Sequence, residues 1–473
     1  MKQYNILFAI ADDASHFGIN DSSFVQTPCI KKLADEGYVF NNAFTTNPKC
    51  APSRCSILSG LHTWRLREGC NHFGYFPNNV TVFPDVLESN GYKIGYTGKG
   101  WEPGDYRRCK RNRNPVGNNY SDIKCNPPKG SSISDCDYAS NFEQFINEKK
   151  ENEPFFFWYG GHEPHRPYSF KEGGISNIKD SQIPKYLPNC EEVKQDFCDY
   201  AFEIKYFDSH LNKMVNLLKK QDLLKETIIV VTSDNGAPFP RIKGQMYEND
   251  FHLPLVIYNG DNLKMPKNKK VNSIVSFVDF FPTILEIANI KYNQMLDGKS
   301  LFPLFFEDTR EDNYALMGKE RHDVGREGDK GYPVRCLRDE NYLLIWNLKP
   351  NRWPAGNPET NYTNCDSSPT KDKILELKDE GNDYYYNFSF NKRPEFEFYD
   401  IKNDSECLNN LIDSQDHFDL IKKMKNLLIK KLIETKDPRM FNAGDEFDTY
   451  EYVGEDNHSW ANYIKGTWSK QNF

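Results

Sequence analysis

Two pairs of oxygen-bearing side chains, one cysteine and a set of spaced cations carry the chemistry open to this sequence. Asp12-Asp13 and Asp234-Asn235 each follow a short apolar run. Adjacent carboxylates repel unless a cation compensates. Together these side chains offer oxygen ligands suited to a hard cation, Ca²⁺ or Mg²⁺. Taken singly, Asp12-Asp13 also suits a helix cap and Asp234-Asn235-Gly236 a turn. Their recurrence at two strand ends favours the metal. Cys50 opens the run Cys50-Ala51-Pro52-Ser53-Arg54; read alone, it is a cysteine in a proline-containing turn or a buried structural thiol. Arg54, Lys99 and Lys243 can offset the charge of an anionic substrate and its transition state. His162 or Lys243 can donate a proton to a leaving atom.

These residues need elements that bring them together. Apolar runs at Asn5 to Ile10, Tyr92 to Thr97, Phe155 to Tyr159 and Ile228 to Thr232 end in Asp12-Asp13, Gly98-Lys99, Gly160-Gly161-His162 and Ser233-Asp234-Asn235. Leu253 to Tyr258 is a further strand. Between them Pro28 to Glu36, Pro84 to Asn90, Ala201 to Lys220 and Ser276 to Ala288 have helical character. Continuous apolar strands alternating with amphipathic helices predict a large, mostly parallel α/β sheet covered on both faces. In such sheets ligands bind beyond the carboxyl ends of the strands, so the polar residues should meet at one rim. From about Tyr332 the pattern changes. Val334 to Leu337, Tyr342 to Trp346 and Phe396 to Ile401 read as a smaller antiparallel sheet, with a helix from Asp419 to Glu434. The expected division is a catalytic domain over 1–330 and a C-terminal subdomain over 331–473. The tail from Asp437 has no clear periodicity.

The net charge of -8 gives no global basic field, which argues against nucleic acid as a partner and requires a local cationic cluster for any anion. No run of about 18 apolar residues is present, so no membrane span is expected. The first apolar run leads straight into Asp12-Asp13 without a small-residue cleavage site, and reads as a buried strand rather than a signal peptide. The 12 cysteines match no zinc spacing. Disulfides among Cys109, Cys125 and Cys136, or between Cys190 and Cys198, are open readings. Sequons stand at Asn79, Asn119, Asn361 and Asn387.

Cys50-Ala51-Pro52-Ser53-Arg54, followed by Ser56-Ile57-Leu58-Ser59-Gly60, resembles the signature of the formylglycine-dependent sulfatases, which share an alkaline phosphatase-like fold. The resemblance implies that Cys50 is oxidised to formylglycine by a formylglycine-generating or radical sulfatase-maturating enzyme, directed by Pro52 and Arg54. It also implies that an oxygen of the formylglycine hydrate at Cys50 joins Asp12, Asp13, Asp234 and Asn235 around one Ca²⁺ or Mg²⁺. Gly98-Lys99-Gly100-Trp101 resembles the family's Gly-Lys-x-His motif, and His162-Glu163-Pro164-His165 its His-x-Pro-His motif. Lys243 precedes Tyr247-Glu248 as the family's lysine does. The catalytic set implied is Cys50, Arg54, Lys99, His162 and Lys243. One departure is Trp101, where the family commonly has a histidine that helps collapse the sulfated intermediate; His72 or His62 are the candidates to replace it.

Within the family the chain is most similar to N-sulfoglucosamine sulfohydrolases. His162 to Arg166, Ser233 to Pro240, Lys319 to Val324, Tyr332 to Arg335 and Leu344 to Leu348 carry that similarity. It implies hydrolysis of the sulfamate of glucosamine in heparan sulfate or heparin fragments. One hydroxyl of the hydrate would attack sulfur, the amine would leave with a proton, and sulfate would then be eliminated. His165, Arg166, His322, Asp323 and Arg326 are the candidates to contact the sugar, with a solvated charged loop as the alternative for Lys319 to Arg326. A periplasmic, secreted or lysosomal setting is implied by the family. An O-sulfatase of another sulfated glycan, a phosphonate or phosphate ester hydrolase, and a carbohydrate-binding protein with a decayed site are the competing functions. The complete residue set argues against decay. On the sulfatase reading, Cys50→Ala should abolish turnover while circular dichroism shows an unchanged fold; wild-type turnover in that variant would exclude the Cys50 mechanism.

Overall fold

The computed structural model describes residues 3–19, 25–109, 111–260 and 266–470. Strands at Asn5–Ala11 (β1), Tyr38–Phe44 (β2), Lys93–Gly98 (β3), Asn118–Asn119 (β4), Phe155–Gly160 (β5), Thr227–Ser233 (β6), His252–Leu253 (β7), Leu255–Tyr258 (β8) and Lys269–Ser276 (β9) form one sheet. Their order is β4-β3-β5-β1-β6-β8-β2-β7, with β9 beside β2. β4, β3, β5, β1 and β6 run parallel, and β8 and β7 pair antiparallel to their neighbours.

The side chains of the central strands alternate between two cores, as the period of two requires. Leu7, Ala9 and Ala11 face one core with Phe155, Phe157, Tyr159, Ile229 and Val231. Helices Pro28–Glu36, Tyr138–Asn147 and Glu191–Lys220 close that side. Ile6, Phe8 and Ile10 face the other with Phe156, Trp158, Ile228 and Val230, under helices Cys50–Ser59, Phe83–Ser89 and Phe280–Ile287. Each Leu, Ile, Val or Phe among them, moved from water into these cores, contributes about 1.5–3 kcal/mol.

The longest helix begins at Glu191, ten residues before the apolar pattern reveals it. Its first half buries Gln195, Asp196, Asp199 and Glu203. Those polar groups hide the amphipathic period. The run from Leu253 to Tyr258 is two short strands, because Pro254 has no N–H to give the ladder.

The small sheet comprises Ala315–Lys319 (β10), Val334–Arg338 (β11), Tyr342–Asn347 (β12) and Phe396–Asp400 (β13), antiparallel in that order. It takes its first strand from before residue 331. Helix Phe418–Glu434 covers one face, with Ile421, Met424, Leu428 and Leu432 on Leu316, Leu337, Leu344 and Phe398. The opposite face packs Met317, Cys336, Leu343 and Ile345 against Phe44, Met246 and Phe251 of the large unit. The tail holds short 3-10 turns and a helix at Trp460–Lys465; residues 471–473 lie outside the described residues.

The disulfide readings are not borne out: all twelve cysteines are free thiols. Cys125 meets the Tyr206 hydroxyl, Cys136 meets Thr97, Cys109 donates to the Phe76 carbonyl and Cys198 to that of Gly173. Each of these sulfurs has a local polar partner in place of a second cysteine. No helix among the described residues is long and apolar enough to cross a membrane.

One buried ion cluster ties the small sheet to the tail. Arg335 grips Asp437 at 2.7 and 3.0 Å and Glu320 at 2.8 Å, with all three side chains fully buried. Removing one partner from a buried pair leaves an uncompensated charge, at a cost of about 3–5 kcal/mol. Arg335→Ala should therefore lower the urea-unfolding free energy by about that much. A loss under about 1 kcal/mol would show that the cluster does not hold the subdomain.

Candidate active site

Because β3, β5, β1 and β6 are adjacent and parallel, the residues after each strand meet at one rim. These are Lys99, His162, Asp12-Asp13 and Asp234-Asn235. The ends of β3 and β5 come unusually close: a Cβ on Gly98 would overlap the Gly160 carbonyl, and one on Gly160 the Lys99 carbonyl. Glycine at both positions lets Lys99 and His162 stand side by side. Asp13 has φ 75°, a left-handed conformation rare outside glycine. That turn aims its N–H at Asp234 Oδ1, 3.1 Å away, and its carboxylate at Asn235 Nδ2, 2.7 Å away.

Cys50 is the first residue of the helix Cys50–Ser59, whose ten residues are all buried. Gly60, at φ 68°, ends the helix and returns its N–H to Ser56. Cys50 and Arg54 stand four residues apart and so share one helix face. The Cys50 thiol donates to Asp12 Oδ1 at 3.4 Å. Arg54 Nε donates to Asp234 at 2.8 Å, and Nη1 to the carbonyls of Lys99 and Gly100 at 2.8 and 2.9 Å. Its Nη2 is buried without a hydrogen-bond partner among the described residues. Lys99 donates to Asp12 at 2.6 Å, and Lys243 to Asp13 at 2.6 Å.

Burial opposes the charge on Asp12, but Lys99, His165 and Arg54 outweigh it and hold this carboxyl well below its ordinary range. Asp13 and Asp234 are pushed up, first by burial and then, against the neighbouring cations, by carboxylate repulsion. Burial and Asp12 likewise push the Cys50 thiol up. As a thiol it is therefore not prepared as a thiolate nucleophile. His162 falls to about 4 through burial and the nearby Lys99 ammonium, and stays neutral at pH 7.

The donor set fits a hard divalent cation. One carboxylate oxygen each from Asp12, Asp13 and Asp234 lies within 4.8 Å of the others. Asn235 Oδ1 is buried with no hydrogen-bond partner among the described residues. An orphaned amide oxygen beside three crowded carboxylates is the all-oxygen environment that Ca²⁺ or Mg²⁺ prefers. Cys50 Sγ forms a second tight group with Asp12 and His165.

A cavity of about 400 Å³ opens above this cluster, lined by Asp12, Lys99, His162, His165 and Arg166 on one side. Glu102, Ser132, Ser134, Glu163 and Glu203 are among its other lining residues. His165 also reaches toward Asp13, at 4.0 Å. Arg166 gives its guanidinium to Asp196 at 2.7 and 2.8 Å. His322 Nε2 donates to Asn47 Oδ1 at 2.9 Å, and its ring lies under Gly244, next to Lys243. Asp323 is engaged by Tyr452 and His458, and Arg326 by Trp353, Lys330, Pro354 and Asn364. The cavity is not lined by His322, Asp323 or Arg326.

Trp101 is fully buried and props the reactive helix, its Nε1 donating to the Ala51 carbonyl at 3.0 Å. His72 lines the cavity, with both ring nitrogens lacking a partner. His62 instead stacks on Trp64. Two contributors escape sequence reasoning: Asp366, 3.0 Å from Lys243, and Lys49, 3.8 Å from Asp366. Asp366 lies in a polar loop; the only signal near it is Ser368-Pro369, a cap and first-turn proline that start a helix.

With this geometry in place, comparison with known proteins becomes specific. Residues 4–290 match the Sulfatase family model, and residues 242–350 match the model of the N-sulphoglucosamine sulphohydrolase C-terminal region. A protein of Formosa agariphila named as an ulvan-active sulfatase is 26% identical over 447 residues, spanning 87% of this chain and 72% of its own. The human N-sulphoglucosamine sulphohydrolase is 26% identical over 490 residues, spanning 92% of this chain and 91% of its own. The same fold is seen in a protein solved with its substrate D-glucosamine-2-N,6-O-disulfate, at TM-score 0.66 and 18% identity, covering 92% of this chain and 99% of that one. The family model spans well over half of the sequence, and the chain belongs to the sulfatase family of sulfuric ester hydrolases.

Proposed function

We propose that this sulfatase hydrolyses the N-sulfate of glucosamine residues in heparan sulfate or heparin fragments, using formylglycine made from Cys50 and one Ca²⁺ or Mg²⁺. The observation that carries the N-sulfate reading is the match of residues 242–350 to the N-sulphoglucosamine sulphohydrolase C-terminal model. The human relative of that name, similar over nearly the whole chain, supports it. The ulvan-active relative favours a second reading, a sulfatase of another sulfated glycan.

When present, the formylglycine hydrate would supply the nucleophile and the cation would polarise the sulfuryl group. The chain's own residues supply binding and proton transfer. Arg54, whose Nη2 stands 3.7 Å from Asp12, and Lys99, which lines the cavity, would oppose the negative charge of the sulfuryl oxygens. An ammonium has three N–H donors. Lys243 spends two on Asp13 and Asp366, which leaves one for the departing amine. Neutral His162 can accept or relay a proton, and Asp12, Asp13, Asp234 and Asn235 are the groups that would hold the cation. His165 and Arg166 are the candidate sugar contacts that line the cavity, and His322, Asp323 and Arg326 are not among its lining residues.

Sulfate release should be measured from N-sulfoglucosamine beside 6-O-sulfated N-acetylglucosamine, with Cys50→Ala as blank. Release from the sulfamate is expected; release only from the O-sulfate would overturn the N-sulfate reading while keeping the sulfatase chemistry. Cation binding has its own readout. A ligand at about 100 times its dissociation constant stabilises the fold by about 2.7 kcal/mol. Ca²⁺ or Mg²⁺ should raise the unfolding temperature of the wild type, and Asp13→Asn should remove most of that shift. A melting curve indifferent to both ions would contradict the metal assignment.

A further inference from the structure

Asp366 comes from a part of the chain remote from the four strand ends, yet its carboxylate sits at the active site. Oδ2 accepts from Lys243 Nζ at 3.0 Å, Oδ1 lies 3.8 Å from Lys49 Nζ, and the side chain is 9% exposed. Its backbone is fixed from below. The Lys371 ammonium gathers the carbonyls of Asn361, Tyr362 and Cys365 at 2.8, 3.1 and 2.7 Å, the last being the residue before Asp366. Ser368 caps the helix Pro369–Asp379 by accepting from Lys371 N at 3.1 Å. Thr370 donates to Asp196 at 2.6 Å, the same carboxylate that grips Arg166. The loop and the helix it leads into thus reach both Lys243 and, through Asp196, Arg166.

Lys243 has two carboxylate partners, and they are not equivalent. Asp13 belongs to the crowded acidic group and also receives Asn235 at 2.7 Å. Asp366 stands outside that group, and its salt bridges among the described residues are to Lys243 and Lys49. It therefore holds the ammonium without drawing it into the acidic cluster. We infer that Asp366 is a positioning residue, which sets Lys243 where its remaining N–H meets the leaving atom of the sulfated substrate. This rests on the reading of Lys243 as the proton donor.

The test is a double-mutant cycle on sulfate release with Asp366→Asn, Lys243→Gln and the double variant, all melted thermally to check folding. A group acting through another loses its effect when that other is removed. A positioned proton donor is worth about 10²–10⁴-fold in rate. The proposal expects Asp366→Asn to lower kcat by about 10-fold or more in the wild-type background and by less than about 2-fold in the Lys243→Gln background, with KM nearly unchanged. Equal losses in both backgrounds, or no loss in the first, would overturn it. If Lys243→Gln itself kept full kcat, the reading of Lys243 would fail instead. Asp366→Ser repeats the cycle should the amide disturb the fold.

Discussion

Three buried carboxylates from two strand ends crowd within a few ångströms, and their repulsion is the constraint around which the site is organised. Burial removes the solvent that would screen it. Arg54, Lys99 and Lys243 each press an amino or guanidinium group against one of Asp12, Asp13 or Asp234 at 2.6–2.8 Å. Counting Asp366 and Lys49, the carboxylates Asp12, Asp13, Asp234 and Asp366 face the cations Arg54, Lys99, Lys243 and Lys49 one for one. A divalent cation added to this balance leaves net positive charge. An anionic sulfuryl group would bring the site back toward neutrality.

The fold follows from the need to hold that cluster still. Four parallel strands deliver the acids, a lysine and a histidine to one rim, while a helix buried along its whole length delivers Cys50 and Arg54 from above. Trp101 props that helix at Ala51, so the residue that departs from the family motif has a structural duty here. The small sheet contributes through packing on Phe44, Met246 and Phe251, which flank the strands and loop carrying Lys243. The loop before Pro369 then reaches back to Lys243, and Thr370 in the helix that follows reaches Asp196, the partner of Arg166.

Much of this was legible in the sequence because it depends on local pattern. Apolar runs ending in Asp12, Lys99, His162 and Asp234 predict strands whose ends meet, and the sheet places them so. The same pattern gives β11, β12, β13 and the helix after Phe418 within a residue or two. The misses have physical causes. The first ten residues of the helix at Glu191 bury charged groups whose partners lie far along the chain, such as Arg166 for Asp196. β2 and β9 are partly polar strands near the sheet edge. Asp366 lies more than a hundred residues from Lys243, and no spacing rule links a loop carboxylate to a lysine at that distance. The disulfide readings failed for a related reason: cysteine spacing carries no information about which sulfurs meet.

On the proposed mechanism the modified group at position 50, and not a thiolate, is the nucleophile that this charge cluster surrounds. The direct measurement is mass spectrometry of the peptide bearing residue 50, set against sulfate turnover, across preparations matured to different extents. Turnover proportional to the fraction of position 50 carried as the aldehyde, with none at zero conversion, is the result the account predicts. Turnover independent of that fraction, or full activity in protein whose Cys50 is entirely unmodified, would contradict it.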